Sequence, residues 1–221
     1  MTNIVIVAGG PNPDLSWLFD LDAKENYYIG VDRGAWLLKK AGLPLDYAVG
    51  DFDSISEAEL KQIRQYAREF EQFPPEKDDT DLELALLKVL SMTEIGSSVT
   101  ILGGIGNGKG RIDHLIANFY LVYQERFRNL IEKIHFLEEK TSIRFYLPGD
   151  HLIDSLFQRP YVSVVGLTPL DKLTLKGVKY ELDHIRTNHP CAYISNEFLV
   201  DQDFILSFEK GIVGVIQTID K

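Results

Sequence analysis

The pattern of apolar residues changes character partway along the chain, and that change limits the fold more than any other feature. In the first half, short apolar runs alternate with segments of helical period. Residues 3–8 form a mostly apolar run ended by Gly9-Gly10-Pro11-Asn12-Pro13, as expected of a strand buried on both faces. Residues 27–31 and 46–49 read as similar strands, each followed by Asp or Gly. Between them, Ala35, Leu37, Leu38 and Ala41 share one face of a short helix closed by Gly42. Ser56 with Glu59, and Thr80 with Glu83, are capping boxes, in which a hydroxyl and an acid three residues on satisfy each other's backbone amides. The first predicts a helix to about residue 67, and residues 98–102 read as a further strand. Strands separated by helices of this length imply βαβ units and a mostly parallel, Rossmann-like sheet.

A helix is expected over 111–127, with Ile112, Leu115, Ile116 and Phe119 facing inward. Beyond it the helical period disappears. Residues 134–137, 143–147, 161–167, 172–175, 204–208 and 213–219 are β-rich runs separated by turn residues. The expected architecture is α/β plus all-β: an α/β catalytic domain over 1–142, then a small β-sandwich or barrel over 143–221. The boundary falls within 140–150, near the turn Pro148-Gly149-Asp150.

Composition narrows the function classes. The 221 residues are 45% hydrophobic and 25% charged, which supports a sizeable core and excludes intrinsic disorder. A net charge of −10 without a basic run argues against nucleic acid and anionic membrane as partners. No stretch approaches the roughly 20 apolar residues needed to span a bilayer, and residues 1–10 lack a leader pattern. Cys191 is the single cysteine, so no intrachain disulfide forms and a reducing, cytoplasmic setting is expected. A small buried or half-buried residue is the favoured reading of Cys191 over a nucleophile.

Three clusters carry chemistry. In Val49-Gly50-Asp51-Phe52-Asp53-Ser54 an extended backbone would aim Asp51 and Asp53 to one side and Phe52 to the core. Two hard oxygen ligands at a strand's carboxyl end suit Mg²⁺, which takes few protein carboxylates beside water and phosphate. An Asp-rich turn leading into the Ser56 helix is the competing reading. Lys77-Asp78-Asp79-Thr80-Asp81-Leu82-Glu83 adds four acids within six residues at a helix start. Acids favour a helix dipole, yet capping does not need so many neighbours that repel one another without a cation. Mg²⁺ shared by Asp51, Asp53 and Asp81 would offset that repulsion.

The third cluster runs from Leu102 through Gly103-Gly104-Ile105-Gly106-Asn107-Gly108-Lys109-Gly110 to Arg111-Ile112-Asp113-His114. Glycines let backbone approach a ligand, and amides opening a helix favour phosphate. A P-loop is excluded, because Gly110 stands where that motif has Ser or Thr, and the dinucleotide pattern fails at Lys109. A surface loop is the alternative.

The clusters occur together with Asp32-Arg33-Gly34-Ala35, Asn118, Gly177-Val178-Lys179-Tyr180, Ser195-Asn196-Glu197-Phe198 and the run 211–219. In that order they resemble the bacterial thiamine pyrophosphokinase family over nearly the whole chain. The resemblance implies Mg²⁺-dependent transfer of the pyrophosphoryl group of ATP to the hydroxyl of thiamine, releasing AMP. It also implies a homodimer with active sites between subunits. Carried over by position, Asp51, Asp53 and Asp81 resemble the metal ligands. With Asp113, which resembles an aspartate contacting the thiamine pyrimidine, they make up the catalytic set. Asp32, Lys77, Asp78, Thr80, Gly104 and Arg111 fall on the ATP side, and Ser195 and Asn196 on the thiamine side.

Two departures stand out. The loop over 103–111 is about three residues longer than the family form, with Asn107-Gly108-Lys109 as the insertion. The tryptophan that stacks on thiamine in eukaryotic relatives has no counterpart, since Trp17 and Trp36 lie in the first half. Tyr193 and Phe198 are the aromatic candidates, each also a plausible core residue. His135, His151, His184 and His189 lack metal-ligand spacing, and His114 beside Asp113 suits a structural hydrogen bond at least as well as a catalytic one. A pyrophosphokinase for another heterocyclic alcohol, such as a hydroxymethylpterin, and a non-enzymatic nucleotide- or thiamine-binding regulator remain as alternatives. Eleven acids and four bases between Asp51 and Glu83 leave −7 of the chain's −10 in one segment. That concentration suits a phosphate substrate bound as its Mg²⁺ complex.

Overall fold

The computed structural model describes residues 2–11, 13–20, 25–92, 95–106, 110–156, 159–200 and 202–219, without the side chains of 17, 20 and 95–97. Two compact units divide the chain, Met1–Glu139 and Lys140–Lys221. In the first, six parallel strands are β1 (Thr2–Val7), β2 (Asn26–Val31), β3 (Tyr47–Gly50), β4 (Glu69–Gln72), β5 (Ile95–Leu102) and β6 (Ile134–Leu137). Their order across the sheet is β6-β5-β1-β2-β3-β4. Because all six run the same way, every carboxyl end lies on one edge. The order reverses between β1 and β5, where open α/β sheets leave a crevice for ligands.

The helices are α1 (Arg33–Ala41), α2 (Glu57–Tyr66), α3 (Asp81–Leu90) and α4 (Ile112–Tyr120). Gly42 closes α1 in the left-handed conformation. Both predicted capping boxes are formed, on α2 and on α3. α1 lies against β1 and β2, α3 against β2 and β3. Buried Val5, Val7, Tyr28, Ala35, Leu38, Phe52 and Ile63 belong to one core cluster there.

Three expectations need correction. The helix expected over 111–127 ends at Tyr120 and gives way to tight 3-10 turns at Leu121–Tyr123 and Glu125–Lys133. Gln124 interrupts it with extended backbone (ψ 114°), its side chain drawn to the Glu83 carboxylate. Ile112 and Ile116 face solvent, 71% and 51% exposed, while polar Asn118 turns inward and donates to the Gly104 carbonyl at 2.6 Å. Residues 134–137, first of the β-rich runs, pair parallel with β5 and complete the first sheet. The sequence reading also lacked β4, whose Glu69-Phe70-Glu71-Gln72 is polar except for Phe70, stacked on Phe52 at 5.0 Å.

The second unit holds β7 (Thr141–Tyr146), β8 (Gly149–Ile153), β9 (Tyr161–Gly166), β10 (Leu170–Lys176), β11 (Leu182–Thr187), β12 (Cys191–Glu197), β13 (Phe204–Phe208) and β14 (Val213–Thr218). They form antiparallel sheets ordered β12-β9-β14-β7 and β11-β10-β13-β8. Val162, Val164, Val213 and Val215 of one sheet share a core with Ile153, Leu173, Leu175, Phe204, Leu206 and Phe208 of the other. The unit is a sandwich, its strands alternating inward apolar residues with outward ones.

The closest seam of the first unit is α1 on β1. A Cβ at Gly34 would stand 1.8 Å from the Val7 carbonyl oxygen, a backbone atom that cannot give way. Gly34→Ala should therefore lower unfolding stability by about 3 kcal/mol. Urea denaturation checks this, and a change within about 0.5 kcal/mol would contradict the seam.

Candidate active site

Four turns at the carboxyl edge of the first sheet supply the chemistry-bearing groups. After β2, Asp32 takes a backbone conformation rare for a side-chain residue (φ 48°, ψ −119°), held by its N–H to the Val49 carbonyl at 2.9 Å. That geometry sends its carboxylate across to the next strand end, where Oδ1 accepts the Phe52 N–H at 3.1 Å. Gly50 makes the crossing possible. A Cβ there would lie 1.9 Å from Asp32 Oδ1, and its φ of +152° strains any side-chain residue.

After β3, Phe52 is also left-handed (φ 59°) and only 3% exposed. The segment is therefore a turn and not the extended run that would aim Asp51 and Asp53 together. Asp53 stays exposed, and its N–H donates to Asp51 Oδ1 at 3.0 Å. The carboxylates that converge are Asp32, Asp51 and Asp81, with oxygens all within 4.8 Å of one another. Of the expected trio, the structure brings Asp51 and Asp81 together, with Asp32 beside them, and leaves Asp53 outside the cluster.

Asp81 enters from the first turn of α3, a position fixed by the Thr80 capping box: the Glu83 N–H donates to Thr80 Oγ1 at 3.2 Å and the Thr80 N–H to Glu83 Oε2 at 2.7 Å. Glu83 does more than cap. Its other oxygen receives the Gln124 amide and the Arg126 guanidinium, 3.1 Å away, and Arg126 also pairs with Asp79 at 2.6 Å. These partners outweigh the burial that would raise its pKa and hold Glu83 below the usual carboxylate range. Asp78 is exposed.

Lys77 is the cation of the group, 3.0 Å from Asp81 Oδ1 and 3.4 Å from Asp51 Oδ2. Burial pulls its ammonium down, but the two carboxylates outweigh that and keep it above the ordinary lysine value. Asp32 has no such cation among the described residues. Burial, then the Asp81 charge, push its carboxyl up to about 7, partly opposed by the Phe52 amide. At these separations an ionised carboxylate pair costs roughly 3 kcal/mol at an effective dielectric near 20, so retaining one proton is the economical state. Asp81 Oδ1 is buried, with Lys77 Nζ its close cation among the described residues.

The remaining candidates belong to other elements. Asp113 is exposed and held by Arg111 at 2.5 and 3.2 Å, an ion pair that depresses its carboxyl. Gly104 rests on Phe136, whose ring would be 2.8 Å from a Cβ there. Asn107, Gly108 and Lys109 lie outside the described residues. In the second unit, Ser195 occupies a left-handed bulge of β12 against β9 (φ 59°) and is exposed. Asn196 is 4% exposed with its amide fully engaged, accepting from the Tyr180 and Glu197 N–H groups and donating to the Tyr180 carbonyl at 2.8 Å. Tyr193 and Phe198 pack against the sandwich core, whereas Tyr180, in the Gly177-Val178-Lys179-Tyr180 turn, is 58% exposed.

Known proteins resemble this chain. The family model described as thiamin pyrophosphokinase, catalytic domain, matches residues 20–133, and that described as thiamin pyrophosphokinase, vitamin B1 binding domain, matches 150–213. The thiamine pyrophosphokinase of Bacillus subtilis strain 168 is 36% identical over 225 residues, covering all of both chains. A thiamin pyrophosphokinase family protein from Enterococcus faecalis superposes with a TM-score of 0.86 at 36% identity, and the Bacillus subtilis crystal structure with 0.85 at 33%, each over the full length of both chains. The yeast enzyme shares the fold at 16% identity, with a TM-score of 0.73 over 99% of this chain and 86% of its own. These likenesses put the chain among the kinases, transferases of phosphate-bearing groups. It belongs to the thiamin pyrophosphokinase family.

The proton on Asp32 has a measurable consequence. The folded state retains it up to about pH 7, whereas an unfolded aspartate releases it near pH 4. Its stabilising contribution is thus complete below about pH 4 and lost as pH rises through about 7. In EDTA, urea unfolding from pH 5 to 8 should show the unchanged chain losing stability relative to Asp32→Asn. A constant difference would contradict the assignment.

Proposed function

We propose that this chain transfers the pyrophosphoryl group of ATP to the hydroxyl of thiamine, giving thiamine diphosphate and AMP. The observation that carries the reading is the convergence of Asp32, Asp51 and Asp81 beside Lys77 on the carboxyl edge of the sheet, in a chain that also matches the vitamin B1 binding domain.

The donor set fits Mg²⁺. Three hard oxygens converge, one of them buried beside Lys77, and a proton on Asp32 relieves a repulsion that a dication would relieve better. Asp51 and Asp81 would hold the ion, with Asp32 as the third carboxylate and Asp53, exposed beside them, facing the solvent side. When bound, the ion neutralises phosphate oxygens. Lys77 would pair with phosphate, with Asp78 and the exposed Thr80 at the same helix start as further nucleotide contacts. Gly104 and Arg111 belong to the nucleotide side at the crevice between β1 and β5. Asp113, Ser195 and Asn196 serve thiamine, with Asn196 acting through the Tyr180 backbone that it holds. Transfer of this kind rests on alignment and charge neutralisation, which these groups supply without a covalent intermediate.

The reading expects a homodimer with shared active sites, and the exposed Ile112, Ile116 and Tyr120 of α4 offer an apolar face for a second copy. A cytoplasmic setting follows from ATP as co-substrate and from the single cysteine. Among the described residues no helix is long and apolar enough to cross a membrane.

Incubation with thiamine, ATP and Mg²⁺ should yield AMP and thiamine diphosphate in equal amounts. ADP in place of AMP, or no turnover, would overturn the reading. Asp51→Asn should lower kcat on the order of a hundredfold or more. The same substitution at Asp53 reports its share, and an unchanged rate removes it from the mechanism.

A further inference from the structure

In the glycine-rich turn after β5, the amides of Gly103, Ile105 and Gly106 face a carboxyl group of the chain itself. Glu138, directly after β6 and 3% exposed, lies beneath it. Its Oε1 accepts the Ile105 N–H at 3.3 Å, and the Gly103 and Gly106 amides also act on its carboxylate. Burial pushes this carboxyl up, and the three amides pull it part of the way back. The opposite polarity of the turn is held from α4, where Asn118 donates to the Gly104 carbonyl. On its far side the turn meets the segment that follows β1: a Cβ at Gly10 would stand 2.1 Å from the Gly103 carbonyl oxygen. A carboxyl group of the chain itself thus occupies backbone N–H groups of the kind that receive external anions elsewhere.

We propose that Glu138 is a positioning residue for the nucleotide subsite, gripping the 103–106 turn by its amides so that the crevice between β1 and β5 keeps its shape. Nucleotide at this turn therefore meets preformed walls and not an amide cradle. The inference rests on the reading that this crevice takes the nucleotide. Glu138 itself does not touch substrate.

Glu138→Gln preserves volume but replaces one acceptor oxygen with a donor facing N–H groups. Hydrogen exchange at the amides of 103, 105 and 106 should speed up about tenfold, with exchange in the second unit unchanged. The KM for MgATP should rise about fivefold or more, while that for thiamine and the melting temperature stay nearly constant. Unchanged exchange at the turn would overturn the proposal, as would both KM values rising together with a fall in melting temperature. Should that variant not fold, Glu138→Asp, which withdraws the carboxylate by one methylene, decides by the same measurements. Failure of the parent reading shows separately: the unaltered chain would not turn over MgATP and thiamine, while the exchange result at the turn would stand.

Discussion

Repulsion among Asp32, Asp51 and Asp81 is the constraint around which the first unit is arranged. Their oxygens come within 4.8 Å of one another, and Lys77 reaches two of the three. The fold tolerates this because each carboxylate is delivered by a separate, well-secured element: Asp32 from β2, Asp51 from β3, Asp81 from α3. The capping box, Gln124 and Arg126 fix the start of α3, so the energy of forming the helix opposes the spreading of the charges. Binding sites commonly hold such stress where the surrounding structure over-determines the geometry.

Much of this was legible from residue order. The capping boxes at Ser56 and Thr80, the Gly42 stop and the parallel then antiparallel succession follow from local rules that burial reinforces. What escaped was what depends on the third dimension. The alternation argument for Asp51 and Asp53 failed because Phe52 is left-handed, a conformation that no propensity assigns to phenylalanine. It is paid for by burying its ring against Phe70. Asp32 joins the carboxylates through the absence of a Cβ at Gly50, a relation between two strands that spacing along the chain does not reveal.

The same limit applies to α4 and to the second unit. Apolar periodicity argued for inward Ile112 and Ile116, but the inward demand on this helix is polar, since the Gly104 carbonyl needs a donor and Asn118 supplies it. In the sandwich, β11 and β12 carry few inward apolar residues and were not read as strands. Ser195 and Asn196 were recognised by likeness to a family. Their division of labour, a strained exposed serine and a buried amide that shapes the Tyr180 turn, is a property of the folded strands.

The acidity of the segment from Asp51 to Glu83 also has a use away from any ligand. β4 ends the first sheet, four residues long, with Glu69, Glu71 and Gln72 exposed and only Phe70 turned in. An outermost strand offers its free backbone to any other extended chain, and short length with like charges makes a second strand unwelcome there. Glu69 is tied to Lys88, and Glu71 accepts the Tyr47 hydroxyl at 2.5 Å, so the charges are anchored and cannot swing aside to admit a newcomer. The negative charge that draws attention as substrate chemistry thus also protects the enzyme against self-association through its sheet, which matters most while the chain is newly made and crowded by copies of itself.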